Sequence, residues 1–460
     1  MTRRLQHLNT TFLLLFGAVA VALGYWIVLR GPTLLAREDN PRLVEAELRV
    51  QRGRILDRNS VVLAETVGEP GALERRYALP AASTPAVGYY SLRYGVAGVE
   101  ATYDAVLRGR PANAWDDEWD ALLHRHPTGQ DVQLTLDANL QAAADAALGN
   151  HQGAVVLLAI GSARNAEVLA MVSHPGYNPN LLDEQFDALS ADENAPLLNR
   201  ATQALYQPGA ALQPLLLAAG LEQGLVLLDA PVSELAAPVQ ASDVILTCAT
   251  PPLESAPTLA TALAHACPAP FAELGLALGP AALIDGLAAF GLFDSPELPL
   301  ELALGTRPQS DGREAALVAE ALGQGKLTVS PLQMAWALVA IANQGELPPL
   351  RLVLRIGSDT DGWKIVVPAS QETGRSLSPQ TAAAVTGAML SAAGDDIAGH
   401  AGAAAAGPDD VWNSWFVGFA PAFAPRPMAR YVVVVLLENT PNREMAAAIG
   451  TAILESLNSP

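Results

Sequence analysis

Few side chains in this chain have both the type and the setting for chemistry. Lysine occurs only at Lys326, just after Gly323-Gln324-Gly325, and at Lys364, within Trp363-Lys364-Ile365. Any amine acting as base or nucleophile has to be one of these two. Cysteine occurs only at Cys248 and Cys267. No metal-ligand spacing surrounds them, which leaves a disulfide or two buried thiols. That choice turns on a Cα separation that sequence does not contain. His400 titrates in the range useful for general acid–base work. No nucleophile partner can be assigned to it, and a partly exposed strand histidine is the plainer reading. No cofactor or metal is expected.

The chain has 460 residues, half of them apolar, and a formal net charge of −20. Its length points to two or three domains and its composition to a folded protein. An acidic chain this poor in lysine is no nucleic-acid binder, since phosphate binding needs clustered cations. The run Phe12–Leu29 carries no charge, and Tyr25 and Trp26 stand near one end of it. It makes about 27 Å of helix, close to the ~30 Å of bilayer hydrocarbon. Arg3 and Arg4 precede it and Arg30 and Arg37 follow, so basic residues do not orient it. The small-residue triplets lie inside the run, so an uncleaved anchor is favoured over a cleaved signal peptide. The expected organisation is a cytoplasmic tail over 1–11, a transmembrane anchor over 12–29, a first extracytoplasmic region over 40–127 and a second over 131–460.

The elements that would position any site follow from pattern. A strand runs through Arg52–Asn59 into a turn and resumes at Val61–Ala64; a surface helix is expected over Trp115–His126. Val132–Leu136 alternates as a strand, and Asp137 caps an alanine-rich helix reaching Leu148. Gly153–Ile160 and Glu167–Ser173 form a hairpin around the turn residues of GSARNA. Ser330-Pro331 starts a helix running to about Asn343. Trp415–Ala420 and Tyr431–Glu438 are further strands, and Arg443–Leu457 is a terminal helix. Strands at both ends of the second region with helices between describe an α+β domain.

These landmarks resemble class B penicillin-binding proteins. Arg52-Gly53 through Asn59 with Leu63-Ala64 matches that family's RGxIxDRNGxxLA opening. Gly95, Gly98, Glu100, Tyr103, Leu107 and Gly109 follow its GxxGxExxYDxxLxG pattern. Thr135, Asp137 and Gln141 match the start of its transpeptidase domain. Pro175–Asn180, Leu198-Asn199-Arg200-Ala201, Gly323-Gln324-Gly325 with Ser330–Ala335, and Trp415–Pro421 follow in family order. The resemblance implies an antiparallel sheet flanked by helices, carried on an N-terminal pedestal of the dimerisation type. It also implies one transmembrane helix in the bacterial cytoplasmic membrane and work on peptidoglycan beside a SEDS-type glycosyltransferase.

The family's reaction is acyl transfer through a serine, served by Ser-x-x-Lys, Ser-x-Asn and Lys-Thr-Gly. In this chain the first motif falls on Ala210 and Gln213, the second on Ala266 and Pro268, and the third on His400, Ala401 and Gly402, with Ala403 after it. A methyl group cannot attack a carbonyl, and an amide does not titrate near neutrality. Losing a serine nucleophile costs on the order of 10⁶ in kcat. The expectation is therefore a chain with no catalytic residues and no enzymatic activity: a scaffold or regulator in peptidoglycan synthesis or division. The alternatives are a module binding peptidoglycan peptide or penicillin, and an active D,D-transpeptidase using unconventional residues.

Overall fold

The computed structural model describes residues 2–30, 47–69, 71–79, 81–109, 128–161, 165–252, 255–308, 313–360, 362–368, 374–390, 396–407, 411–423 and 430–458. The juxtamembrane stretch Gly31–Asn40, the helix expected over Trp115–His126 and the centre of the GSARNA turn lie outside the described residues. An apolar helix, α1 (Thr2–Gly24), comes first. Its side chains Leu14, Phe16 and Val21 are exposed, which suits lipid rather than water. Length and composition make His7–Gly24 a candidate membrane span.

The first sheet begins with β1 (Ile55–Leu56), β2 (Val62–Val67), β3 (Glu74–Tyr77) and β4 (Asp131–Leu134). Helix α2 (Ala138–Leu148) follows, and the side chain of Asp137 accepts from the Asn139 and Leu140 amides at its start. Strands β5 (Gly153–Ile160) and β6 (Ala166–His174) form the hairpin. The central helices are α3 (Gln213–Glu222), α4 (Pro268–Ala288) and α5 (Pro331–Ala342). Ser330 caps α5 in a reciprocal box with Gln333, which satisfies two amide donors otherwise orphaned at a buried helix start. Then come β7 (Leu350–Arg351), β8 (Val353–Ser358), β9 (Gly362–Ile365), β10 (Ala398–Ala405), β11 (Trp412–Ala420), β12 (Arg430–Leu437) and α6 (Arg443–Asn458).

Two six-stranded sheets result. The first has the order β9-β8-β4-β1-β2-β3 and the second β7-β6-β5-β12-β11-β10. The strand that opens the second region, β4, therefore joins the sheet of the first, parallel to β1. In the second sheet Val432, Val434 and Leu436 pack with α5 in one core, while Val433, Val435 and Leu437 pack with α2 and α6 in the other. Burial on both faces is why Tyr431–Leu437 is continuously apolar rather than alternating. Helix α4 is long and apolar, but it packs against α3 inside the domain and kinks where Gly279 takes φ 72° before Pro280.

A buried ion network closes the pedestal. Arg52 pairs with Glu100 at 2.8 Å and with Asp104 at 2.7 Å, and Arg75 reaches Glu100 at 2.6 Å. Glu100 is fully buried, so its charge is held there by these two guanidinium groups.

Candidate functional site

The site grows from a short 3₁₀ turn, Gly209–Leu212, that feeds directly into α3. Strand β10 lies against this turn with backbone touching backbone. Gly209 has φ 51°, and a Cβ there would stand 2.3 Å from the Ala403 carbonyl oxygen. A Cβ on Gly402 would stand 2.6 Å from the Ala211 nitrogen. Only glycine permits an approach this close. The Gly323-Gln324-Gly325 block ties the two together. The Gly209 amide donates to the Gly323 carbonyl at 3.0 Å, the Ala405 amide donates to Gln324 Oε1 at 3.0 Å, and Gln207 Nε2 donates to the Gly325 carbonyl.

This contact brings Ala210 to His400. His400 Nε2 donates to the Ala210 carbonyl at 3.0 Å. The imidazole is 5 % exposed, not partly exposed, because alternate residues of β10 face inward. Burial lowers its pKa to about 4; the Arg443 charge acts in the same direction, and the Ala210 carbonyl opposes both. At neutral pH the ring is uncharged and its Nε2–H is committed, so it supplies neither a cation nor a proton acceptor at that nitrogen.

The second motif region joins from the opposite wall. Ala266 adopts φ 45° at the end of a short helix, and Cys267 precedes Pro268, the first residue of α4. Cys248 and Cys267 form a disulfide, which ties the segment from Ile245 to Cys248, part of the cleft lining, to the start of α4. The cleft between these walls has a volume of about 220 Å³. Ala210, Gln213, Ala266, Pro268 and Ala403 line it together with Trp412. Neither lysine does.

Three lining side chains carry polar chemistry and were invisible as a group in the sequence. Gln213 is 2 % exposed, and its Oε1 has no hydrogen-bond partner. Thr247 carries the hydroxyl of the lining, and Arg443 its charge. Arg443 donates from Nη2 to the Ala249 carbonyl at 2.9 Å. Burial lowers its pKa from an ordinary value high enough to leave the guanidinium cationic. Arg443 had registered only as the start of a terminal helix; no local pattern marks its approach to a segment almost two hundred residues earlier.

Residues 153–457 match the penicillin binding protein transpeptidase domain, and residues 52–132 match the penicillin binding protein A dimerisation domain. The chain is 32% identical to the peptidoglycan D,D-transpeptidase PbpA of Mycolicibacterium smegmatis, covering 92% of each chain. It is 30% identical to the PbpA of Mycobacterium tuberculosis, covering 99% of each. The crystal structure of that M. tuberculosis protein superposes with a TM-score of 0.78, covering 88% of this chain and 99% of the other. Its penicillin G acyl-enzyme complex also gives 0.78 at 29% identity, covering 89% and 100%. These relatives overturn one expectation. A chain with alanine at position 210 was expected to be no enzyme, yet relatives matched along nearly their whole length carry the name of one. Local side-chain chemistry at seven motif positions weighed too heavily in that expectation against likeness across the rest of the chain.

Proposed function

Because this chain belongs to the penicillin-binding protein transpeptidase family, we propose that it works on peptidoglycan stem peptides, with the cleft beside Ala210 receiving the carboxylate-bearing end of the peptide. The observation that carries this reading is the cleft itself. Alanines at so many lining positions would let a redundant cleft collapse, yet about 220 Å³ stays open where the three motif regions meet. The relatives' name, peptidoglycan D,D-transpeptidase, supports acyl transfer as the reaction for this cleft. Ala210 and Gln213 cannot take the serine and lysine parts, so the nucleophile comes from elsewhere in the lining: the Thr247 hydroxyl forms an ester with the acyl group as the scissile C–N bond breaks, and its proton leaves on the released terminal amine.

The test is labelling of the full chain in detergent with a fluorescent penicillin, followed by intact mass and mapping of the modified peptide. A stable adduct of one drug mass on a cleft residue supports acyl transfer and names the nucleophile. A chain that stays unmodified under conditions that saturate an active relative overturns acyl transfer at this cleft.

The proposed setting is the outer face of the bacterial cytoplasmic membrane. The lipid-suited face of α1 favours a membrane-embedded partner of wall synthesis, such as a SEDS-type glycosyltransferase. Co-purification with and without residues 1–30 tests this partner: retention of the glycosyltransferase by the shortened chain would argue against a contact through α1.

A further inference from the structure

The cleft holds one charge and one unsatisfied buried acceptor, and both lie outside the groups by which the family resemblance would grip a peptide carboxylate. Those groups are gone: Ala401 and Ala403 carry methyls, and the neutral His400 ring is spent on the Ala210 carbonyl. From the remaining geometry we infer that Arg443 is the carboxylate anchor of this cleft and that the side-chain amide of Gln213 hydrogen-bonds the backbone of the same ligand. This inference rests on the peptide-binding function proposed above and adds the residues that perform it.

A guanidinium has five N–H donors arranged as a planar fork that suits a carboxylate. Among the described residues, Arg443 spends one donor on the Ala249 carbonyl. That bond steadies the side chain at the rim of the cleft, beside Ile245, Leu246 and Pro441. Gln213 supplies the second, independent observation. Gln213 lines the cleft and its Oε1, closed off from solvent, makes no protein hydrogen bond, so a half-turn of the side-chain amide presents that acceptor to a ligand. A peptide amide N–H is a donor of the required kind. The cleft is smaller than the ~300–1,000 Å³ that drug-sized ligands occupy, so it takes the end of a peptide rather than its length. Charge at one point and an acceptor at another describe a ligand with a terminal carboxylate and a backbone N–H.

The experiment measures binding of N-acetyl-D-alanyl-D-alanine and of its C-terminal amide to the full chain in detergent. The native chain, Arg443→Ala, Arg443→Lys and Gln213→Met are compared, with thermal unfolding run on each to establish folding. The native chain should bind the acid at least tenfold more tightly than the amide. Arg443→Ala should lose that preference, weakening the acid about tenfold and leaving the amide unchanged. Arg443→Lys should retain part of it, since charge remains but the fork does not. Gln213→Met should weaken acid and amide alike, by roughly five- to tenfold. Equal binding of acid and amide by the native chain, or an acid preference that survives in folded Arg443→Ala, overturns this inference and leaves the peptide-binding function standing. Failure of the native chain to bind either ligand at millimolar concentration overturns that function and this inference together.

Discussion

His400 Nε2 stands 3.0 Å from the carbonyl oxygen of Ala210, so the two positions that carry the resemblance to a nucleophile motif and a lysine motif are joined by a hydrogen bond from a neutral ring. The ring is buried with its pKa lowered to about 4, from about 6.5 in an unfolded chain. Between those values the unfolded chain binds a proton that the folded chain does not. Stability is therefore fully present above pH 6.5 and is lost as pH falls towards 4, by on the order of 3 kcal/mol. Urea unfolding between pH 7.5 and 4 should show this loss, and His400→Gln should remove that part of the slope. An unchanged slope in the variant would place the titration elsewhere.

Ala266 takes φ 45°, where a Cβ crowds the backbone and costs about 1 kcal/mol. Ala266→Gly relieves the crowding without removing any hydrogen-bonding group. The variant should move the denaturation midpoint up, by about 1 kcal/mol. A lower midpoint would mean that the methyl contributes more through packing at the cleft wall than it costs in backbone strain.

Glu100 is fully buried between Arg52 and Arg75. Glu100→Gln leaves the buried Arg75 guanidinium without its counter-charge and Arg52 with Asp104 alone, and should cost about 3–5 kcal/mol. Arg375→Ala, which breaks the exposed pair with Glu346, should change stability by under about 1 kcal/mol. Chemical denaturation of both variants in parallel separates buried from surface ion pairs; similar costs would contradict the buried network.

The Cys248–Cys267 disulfide closes a loop of sequence separation 19, for which chain entropy gives a stabilisation of about 3 kcal/mol. Alkylation of the denatured, unreduced chain should leave its mass unchanged, and reduction should expose two reactive thiols. Reduction should also weaken dipeptide binding, because it releases a segment that lines the cleft.

Restoring the family's pattern at the first motif offers a direct comparison with the native cleft. Ala210→Ser alone supplies a hydroxyl with no base and should change penicillin labelling little. Ala210→Ser with Gln213→Lys places amine and hydroxyl on one helical turn and should raise the labelling rate by roughly 10³-fold or more over the native chain. The measurement is the rate of fluorescent labelling. No gain in the folded double variant would show that positions beyond the first motif limit acylation.

Much of the fold was legible because it is written in local signals. Asp137, Ser330 and Pro331 mark helix starts through caps whose physics involves a few neighbouring residues. The apolar runs at 153–160 and 431–437 mark strands buried on both faces. The motif blocks carry the family resemblance, and the α+β architecture comes with it. Local pattern did not reveal that β4, at the start of the second region, pairs into the first sheet, because strand pairing is set by tertiary packing rather than by propensity. For the site, sequence alone determined which chemical groups stand at positions 210, 213, 266, 268 and 400–403. Only the tertiary structure decided that His400 would be buried and neutral, that the cleft would remain open, and that Arg443 and Gln213 would face it together. Those outcomes depend on burial and on contacts between segments far apart in the chain. Residue type determines what a side chain is able to do, while the distance and dielectric around it determine what it does.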